Sequence, residues 1–257
     1  MACILVLRRI VSEALSITHS ACVIEDICIG IRYAYCAVRS NGTALGLCFV
    51  PLEDISHSTL PEPPSIDNVL SLASSASMLD RIISVAYINA LSQYTLWVRK
   101  EAECMISKEG ITGFLVRTLR KTDRVAVIGN MVPLVEALRG YVDNIYVFER
   151  NPTMRSAGVL PDSLEYEFLE KCNIVIVSGA ALVNGTISPI LRFSKSADIR
   201  VIVGPTAQMH PDVLLRYFDV VASVVVKDIP EAMRRIRLGG GRRSLSGISV
   251  DYVARPS

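Results

Sequence analysis

An α+β unit followed by an open, doubly wound parallel α/β sheet is the fold the sequence predicts. Three features lead to it. The first third of the chain alternates in strand fashion around an Asn-Gly turn. Two helical stretches come next. Beyond residue 120, short Val- and Ile-rich runs recur with helical segments between them. A chain of 257 residues, 51% hydrophobic and 20% charged, has the length for two domains and the apolar content for sizeable cores.

In the first unit, residues 23–30 and 31–39 are rich in β-branched and aromatic side chains. Ser40-Asn41-Gly42-Thr43 follows, and Asn-Gly is the strongest short hairpin signal. Residues 44–50 read as the returning strand of an antiparallel meander. Residues 51–64 hold four prolines and read as a loop. Two helices are expected next, at 66–73 and 78–94. In the longer one Leu79, Ile82, Ile83, Ala86, Ala90 and Leu91 share a broad stripe. Its small residues, Ala86 and Ala90, permit close approach to the sheet or to another helix. A further helix is expected at 108–120.

From Asp123 onward the rhythm changes. Val125 to Ile128, Ile145 to Phe148, Ile174 to Val177, Val201 to Val203 and Val220 to Val226 are apolar on both faces, as buried parallel strands are. Helices are expected between them at about 132–139, 163–171, 186–194, 211–217 and 230–238. The domains are placed at 1–106 and 107–257, and the second carries about five strands.

Several function classes are excluded by composition. A net charge of +2 argues against nucleic acid. Mean hydropathy is high, at +0.39, but the chain does not read as a membrane protein. Its longest stretch without Asp, Glu, Lys or Arg, 172–191, is interrupted by Asn173, Ser178, Gly179, Asn184, Gly185, Thr186, Ser188 and Pro189. The apolar start is too short for a signal segment, and Arg8 and Arg9 follow it instead of preceding it. A cytoplasmic protein is expected. The seven cysteines (3, 22, 28, 36, 48, 104 and 172) form no CxxC pair and are expected as small buried hydrophobes. The three histidines (19, 57 and 210) show no metal-ligand spacing. His210 precedes Pro211 and is expected to cap that helix or face a cleft. The arginine-rich end, Arg234 to Arg243, is expected as a solvated helix end with a flexible tail.

In a doubly wound sheet ligands bind outside the carboxyl ends of the strands. Here those ends carry Gly129-Asn130, Glu149-Arg150-Asn151, Ser178-Gly179 with Asn184-Gly185-Thr186 beyond, and Gly204-Pro205-Thr206. All thirteen residues are candidate ligand contacts. Gly129 allows a sharp turn, and Pro133 suits the first turn of a helix whose free amides would favour an anion. Glu149, at the end of the second strand, stands where an acidic residue accepts hydrogen bonds from ribose hydroxyls. Thr186 or Ser188 is a candidate helix cap. No nucleophile–base pair assembles.

These motifs resemble a known family. Val127-Ile-Gly-Asn-Met-Val-Pro-Leu134, Val147-Phe-Glu-Arg-Asn-Pro152, Leu160-Pro161, Ser178-Gly-Ala-Ala-Leu-Val-Asn-Gly-Thr186, Val203-Gly-Pro-Thr206 and Gly239-Gly240-Gly241 occur in the order and spacing of the putative heavy-metal chelation proteins. Asp26-Ile-Cys-Ile-Gly30, Gly46-Leu-Cys-Phe49 and the segment from Arg81 to Leu91 resemble the domain that precedes it there. The resemblance implies an enolase-N-terminal-like α+β domain joined to a Rossmann-like domain, and a role in handling metals or metal–tetrapyrroles. Asn130-Met131 stand where relatives often carry an aromatic.

Three functions follow as expectations. The first is a protein of metal homeostasis that holds a divalent metal ion or a metal complex near the domain interface. Glu149, Asn151, Asn184 and Thr206 would supply oxygen and amide ligands. The second is an enzyme binding an adenosine-type cofactor such as S-adenosylmethionine. The third is a non-catalytic assembly subunit, with a homodimer as the expected state.

Overall fold

A computed structural model describes residues 2–18, 21–55 and 60–257, with side chains from residue 6 onward. His19, His57, the side chain of Cys3 and residues 56–59 of the proline-rich loop lie outside the described residues. The other six cysteines are free thiols.

Helix α1 (Ala2–Ile17) opens the chain. Strands β1 (Val23–Ile29), β2 (Tyr33–Arg39) and β3 (Thr43–Phe49) then form the expected antiparallel meander, in the order β1-β2-β3. Helices α2 (Val69–Ala73) and α3 (Met78–Gln93) follow. The Ser77 side chain caps α3 by accepting from the Asp80 amide. The helix is buried nearly all round, beyond the one broad stripe its periodicity marks. It then widens into π-helical turns over Tyr94–Arg99 and stops at Lys100, whose φ is +61°.

The larger sheet has eight strands, not five. The expected ones are β5 (Arg124–Ile128), β6 (Asn144–Glu149), β8 (Ile174–Ser178), β9 (Ile199–Val203) and β10 (Val220–Val226). Unforeseen are β4 (Met105–Ser107), β7 (Val159–Pro161) and β11 (Ser249–Arg255). Their order is β4-β11-β10-β9-β8-β5-β6-β7. The six strands from β5 to β10 are parallel and run 3-2-1-4-5-6 in chain order, so the order reverses between β5 and β8. β11 and β4 add on antiparallel. β11 corrects the flexible-tail expectation, because the chain beyond the glycines returns as a sheet strand. The arginines before it are also engaged. Arg234 and Arg235 pair with Glu231, Arg237 with Asp26, and Arg242 with Asp251.

The strand residues divide between two layers. Val125 and Val127 point to helices α4 (Ile111–Thr118) and α5 (Val132–Leu138), meeting Leu115, Leu134 and Leu138. Ala126 and Ile128 point to the opposite face. Helices α6 (Glu165–Leu169), α7 (Ala180–Asn184), α8 (Ile187–Phe193) and α9 (Pro211–Leu214) supply that layer's core, together with α1 and α3. The last helix, α10 (Ile229–Arg237), packs Ala232 and Ile236 against Tyr33, Tyr35 and Leu47 of the small sheet. Both faces of the small sheet are therefore covered. The high hydropathy belongs to this sheet and to α3 as well as to the parallel strands.

A buried polar splice joins the two sheets. The free edge of β3 donates its Leu47 amide to Gln208 Oε1 at 2.7 Å and its Phe49 amide to Thr206 Oγ1 at 2.9 Å. Asn89 of α3 donates to the carbonyls of Leu47 and Thr206. Gln93 donates to the Gln208 carbonyl and the Tyr252 hydroxyl. Gln208 also donates to the Val224 carbonyl. All of these side chains are almost fully buried. Replacing Gln208 by leucine strands one amide and one carbonyl in the interior, each costing about 1–3 kcal/mol. Urea unfolding of Gln208→Leu is expected to show a loss of about 2–4 kcal/mol, and a loss below about 1 kcal/mol would mean that the splice carries little stability.

Candidate functional site

The carboxyl ends of β5, β6, β8 and β9 open into one cleft of about 910 Å³. Eleven of the thirteen candidate residues line it, all but Asn151 and Gly185. Its floor is apolar, with Ile128, Met131, Leu134 and Phe148. The small sheet and its following loop complete it with Arg32, Tyr33, Phe49 and Glu53. Ile111, Asp162 and Glu165 also line it without a mark in the sequence, and Arg242 and Arg243 line it where a solvated, flexible tail is expected. Arg242 and Arg243 follow the glycine run 239–241, which is visible in the sequence, but no local signal singles out Glu165.

Most polar candidates already have partners within the chain. After β5, Gly129 adopts φ +99°, and a Cβ there would lie 2.9 Å from Ser178 Cβ. The turn therefore needs glycine for both its backbone and its space. The next amide, Asn130 N–H, donates to Glu149 Oε2 at 2.9 Å, and Glu149 Oε1 accepts from the Asn151 amide at 2.9 Å. Glu149 is thus the anion that this strand-to-helix turn attracts. A carboxylate has about four acceptor sites, so the free ones remain for a ligand. Asn130 Nδ2 donates to the Met154 carbonyl. Arg155 ties the same loop down through the carbonyls of Glu149 and Arg150.

Arg150 reaches across to Asp54, at 2.8 Å, and so links the end of β6 to the short turn Leu52–Asp54 after the small sheet. Asn151 Oδ1 accepts from the amide and hydroxyl of Thr153, and Asn184 Oδ1 from those of Thr186. The Thr186 side chain makes no helix cap, which corrects that expectation: its hydroxyl donates to Asn184 Oδ1, two residues back. Residues 180–184 form α7, not a polar loop, and Gly185 at φ +83° ends it. Thr206 is 2% exposed, with its hydroxyl occupied by the Phe49 amide. Gly179 and Gly204 anchor their turns through amides donated to the carbonyls of Val203 and Ala222.

His210 does not line the cleft and does not cap α9 with its side chain. It is buried, with Nε2 at 2.9 Å from the Glu101 carbonyl. Asp212 beside it accepts the amides of Glu103 and Cys104, fastening the segment that leads into β4.

Glu165, the first residue of α6, differs from the other cleft residues. It is 1% exposed. Burial pushes its carboxyl up to about 7, with a smaller push from Asp162, against a hydrogen bond from Tyr166 and the charge of Arg150. Asp54 is raised too, chiefly by burial and against Arg150, and its Oδ2 is buried without a partner.

Fold and cleft define a class: a mostly parallel α/β sheet whose carboxyl edge opens into a cleft completed by a small antiparallel sheet. Residues 114–255 match the model of the family DUF364, and residues 12–92 that of DUF4213, both described as "Putative heavy-metal chelation". The chain belongs to the DUF364 family. It is 32% identical over 236 residues to the uncharacterized protein MJ0500 of Methanocaldococcus jannaschii, covering 89% of this chain and 88% of that one. A DUF364 protein of unknown function from Pyrococcus horikoshii superposes with a TM-score of 0.83 at 30% identity, over 96% of this chain and 98% of that one. Another, from Desulfitobacterium hafniense, gives 0.80 at 17% identity, over 98% and 99%. No helix among the described residues is long and apolar enough to cross a membrane.

Proposed function

We propose that the chain binds a metal carried in an organic complex, in the cleft at the carboxyl ends of β5, β6, β8 and β9. The observation that carries this reading is a mismatch between the cleft and its donors. Its volume suits an organic ligand of some size. Yet among the described residues no three His, Cys, Asp or Glu side chains stand close enough to hold a bare ion. A complex brings its own donors and needs from the protein an apolar floor and charged contacts. The floor is supplied by Ile128, Met131, Leu134 and Phe148. Arg32 and Arg243, which make no ion pair among the described residues, would meet its carboxylates.

The strand order 3-2-1-4-5-6 supports the Rossmann-like reading of the large sheet, and the meander with α2 and α3 supports the enolase-N-terminal-like reading of the first unit. An adenosine-type cofactor is the second reading. It is favoured by the place of Glu149, at the end of the strand beside the one where the order reverses.

Calorimetric titration separates these readings. The titrants are zinc, nickel and cobalt chlorides, a cobalt corrinoid, an iron porphyrin and S-adenosylmethionine. A corrinoid or porphyrin is expected to bind at about 10 μM or tighter, and the chlorides no tighter than about 1 mM. Arg243→Ala is expected to weaken the complex roughly tenfold. Binding by S-adenosylmethionine alone transfers the site to the second reading, and no binding by either complex overturns the first.

A further inference from the structure

We propose that a second site, apart from the cleft, binds a small primary amide that carries a carboxylate. The site is a slot of about 180 Å³ between the free edge of β3, at residues 43–45, and the end of β10, at residues 225–227. Gln93, Trp97 and Lys227 also line it. Slot and cleft share no lining residue and lie toward opposite ends of β3. The slot has room for a small organic molecule, since one water needs only about 10–15 Å³.

The chain itself shows how this gap is bridged. One step along, the Gln208 carboxamide spans the same two strands: it accepts from the Leu47 amide at 2.7 Å and donates to the Val224 carbonyl at 2.8 Å. Strand alternation repeats that pair of edges in the slot. Every second residue of a strand turns its backbone groups to the same side, so Leu45 faces as Leu47 does, and Val226 as Val224 does. Two buried side-chain atoms of the lining residues have no partner among the described residues: Gln93 Oε1, an acceptor, and Trp97 Nε1, a donor. Gln93 is 2% exposed. Its amide cannot turn over, because its nitrogen is engaged by the Gln208 carbonyl and the Tyr252 hydroxyl.

The slot therefore lacks a donor for a carbonyl and an acceptor for an indole. A ketone or a carboxylate brings no donor, and an ammonium brings no acceptor. A hydroxyl offers both from a single atom and cannot span two strands. A primary amide offers both and repeats the bridge that Gln208 makes. Lys227 carries its ammonium 5.5 Å from the centre of the Trp97 ring and makes no ion pair among the described residues. A carboxylate at the outer end of the ligand would pair with it.

Trp97 is the one tryptophan of the sequence, so the single indole N–H resonance of 15N-labelled protein reports the slot directly. The probes are succinamate, levulinate and butyramide. Levulinate has a methyl group where succinamate has its NH2, and butyramide has one where succinamate has its carboxylate. Succinamate is expected to move the indole resonance saturably, with a Kd of about 1–10 mM, ordinary for so small a ligand. Levulinate is expected to bind at least roughly tenfold more weakly, and butyramide about fivefold more weakly. Lys227→Ala is expected to remove the advantage of succinamate over butyramide. An indole resonance that no probe moves means a slot that holds water only, and overturns the proposal. Levulinate or butyramide binding as tightly as succinamate overturns it too, as does a Lys227→Ala variant that weakens both amides alike.

Discussion

Gly46→Ala is expected to destabilise the protein by about 3–5 kcal/mol, or to prevent folding altogether. Gly46 lies in the middle of β3, where α3 crosses the small sheet. A Cβ at this position would lie 2.1 Å from the Ala90 amide nitrogen and 2.2 Å from the Ala86 carbonyl oxygen. Both obstacles are backbone, so no side chain can swing away. Either the helix lifts off the sheet or the strand bends, and each opens the core beneath. That core includes Cys36, Val38, Ile82 and Val85. Moving β3 also breaks the Leu47–Gln208 and Phe49–Thr206 contacts. Urea unfolding followed by far-ultraviolet circular dichroism measures the loss. A variant within about 1 kcal/mol of the parent would show that α3 and β3 tolerate separation.

Glu165→Gln is expected to act in the opposite direction and make the ligand-free protein more stable above neutral pH. Below about pH 4.5 the carboxyl is protonated in both folded and unfolded chains, so glutamine changes little. Between pH 4.5 and 7 the unfolded chain releases this proton while the folded chain holds it. The folded state therefore loses stability as pH rises, and the loss levels off above 7. Glutamine has no charge to bury. The gain should approach about 2–3 kcal/mol at pH 8 and fall toward zero at pH 4.5. Denaturant unfolding of both proteins across that range checks it, and a gain that does not depend on pH would mean the carboxylate is not the source. A residue that lines the cleft and costs the protein stability fits the trade seen at functional sites.

How much of this was legible in the sequence depends on where the information lay. β5, β6, β8, β9 and β10 were readable because a strand buried on both faces must be apolar at every position. β4 and β7 have three residues each and leave no pattern. β11 follows an arginine- and glycine-rich stretch that reads as a tail, and its strand character comes from pairing with β10. α1 falls in the apolar start of the chain, which reads only as a segment too short for a signal. Ala86 and Ala90 were legible as a site of close approach, but their partner Gly46 was not, since it lies 40 residues away across a loop.

The site divides in the same way. Strand ends are local features, and the cleft forms where they meet. Partner assignments are tertiary. Nothing in the sequence shows that Glu149 closes on the amides of Asn130 and Asn151, or that Thr206 is consumed by β3. Glu165 was the hardest to foresee, because a glutamate opening a helix is ordinary and only its burial makes it unusual.

The splice between the sheets sets how the cleft can work. The segment from Gly204 to Gln208 puts its first three residues in the cleft wall and, through Thr206 and Gln208, also occupies the free edge of β3. Rotating one sheet away from the other would tear out Asn89, Gln93, Thr206 and Gln208 together, all of them desolvated. The cleft is therefore a rigid socket and not a jaw. On the proposed reading a guest would enter and leave through an open mouth, and recognition would rest on a shape already in place before it arrives.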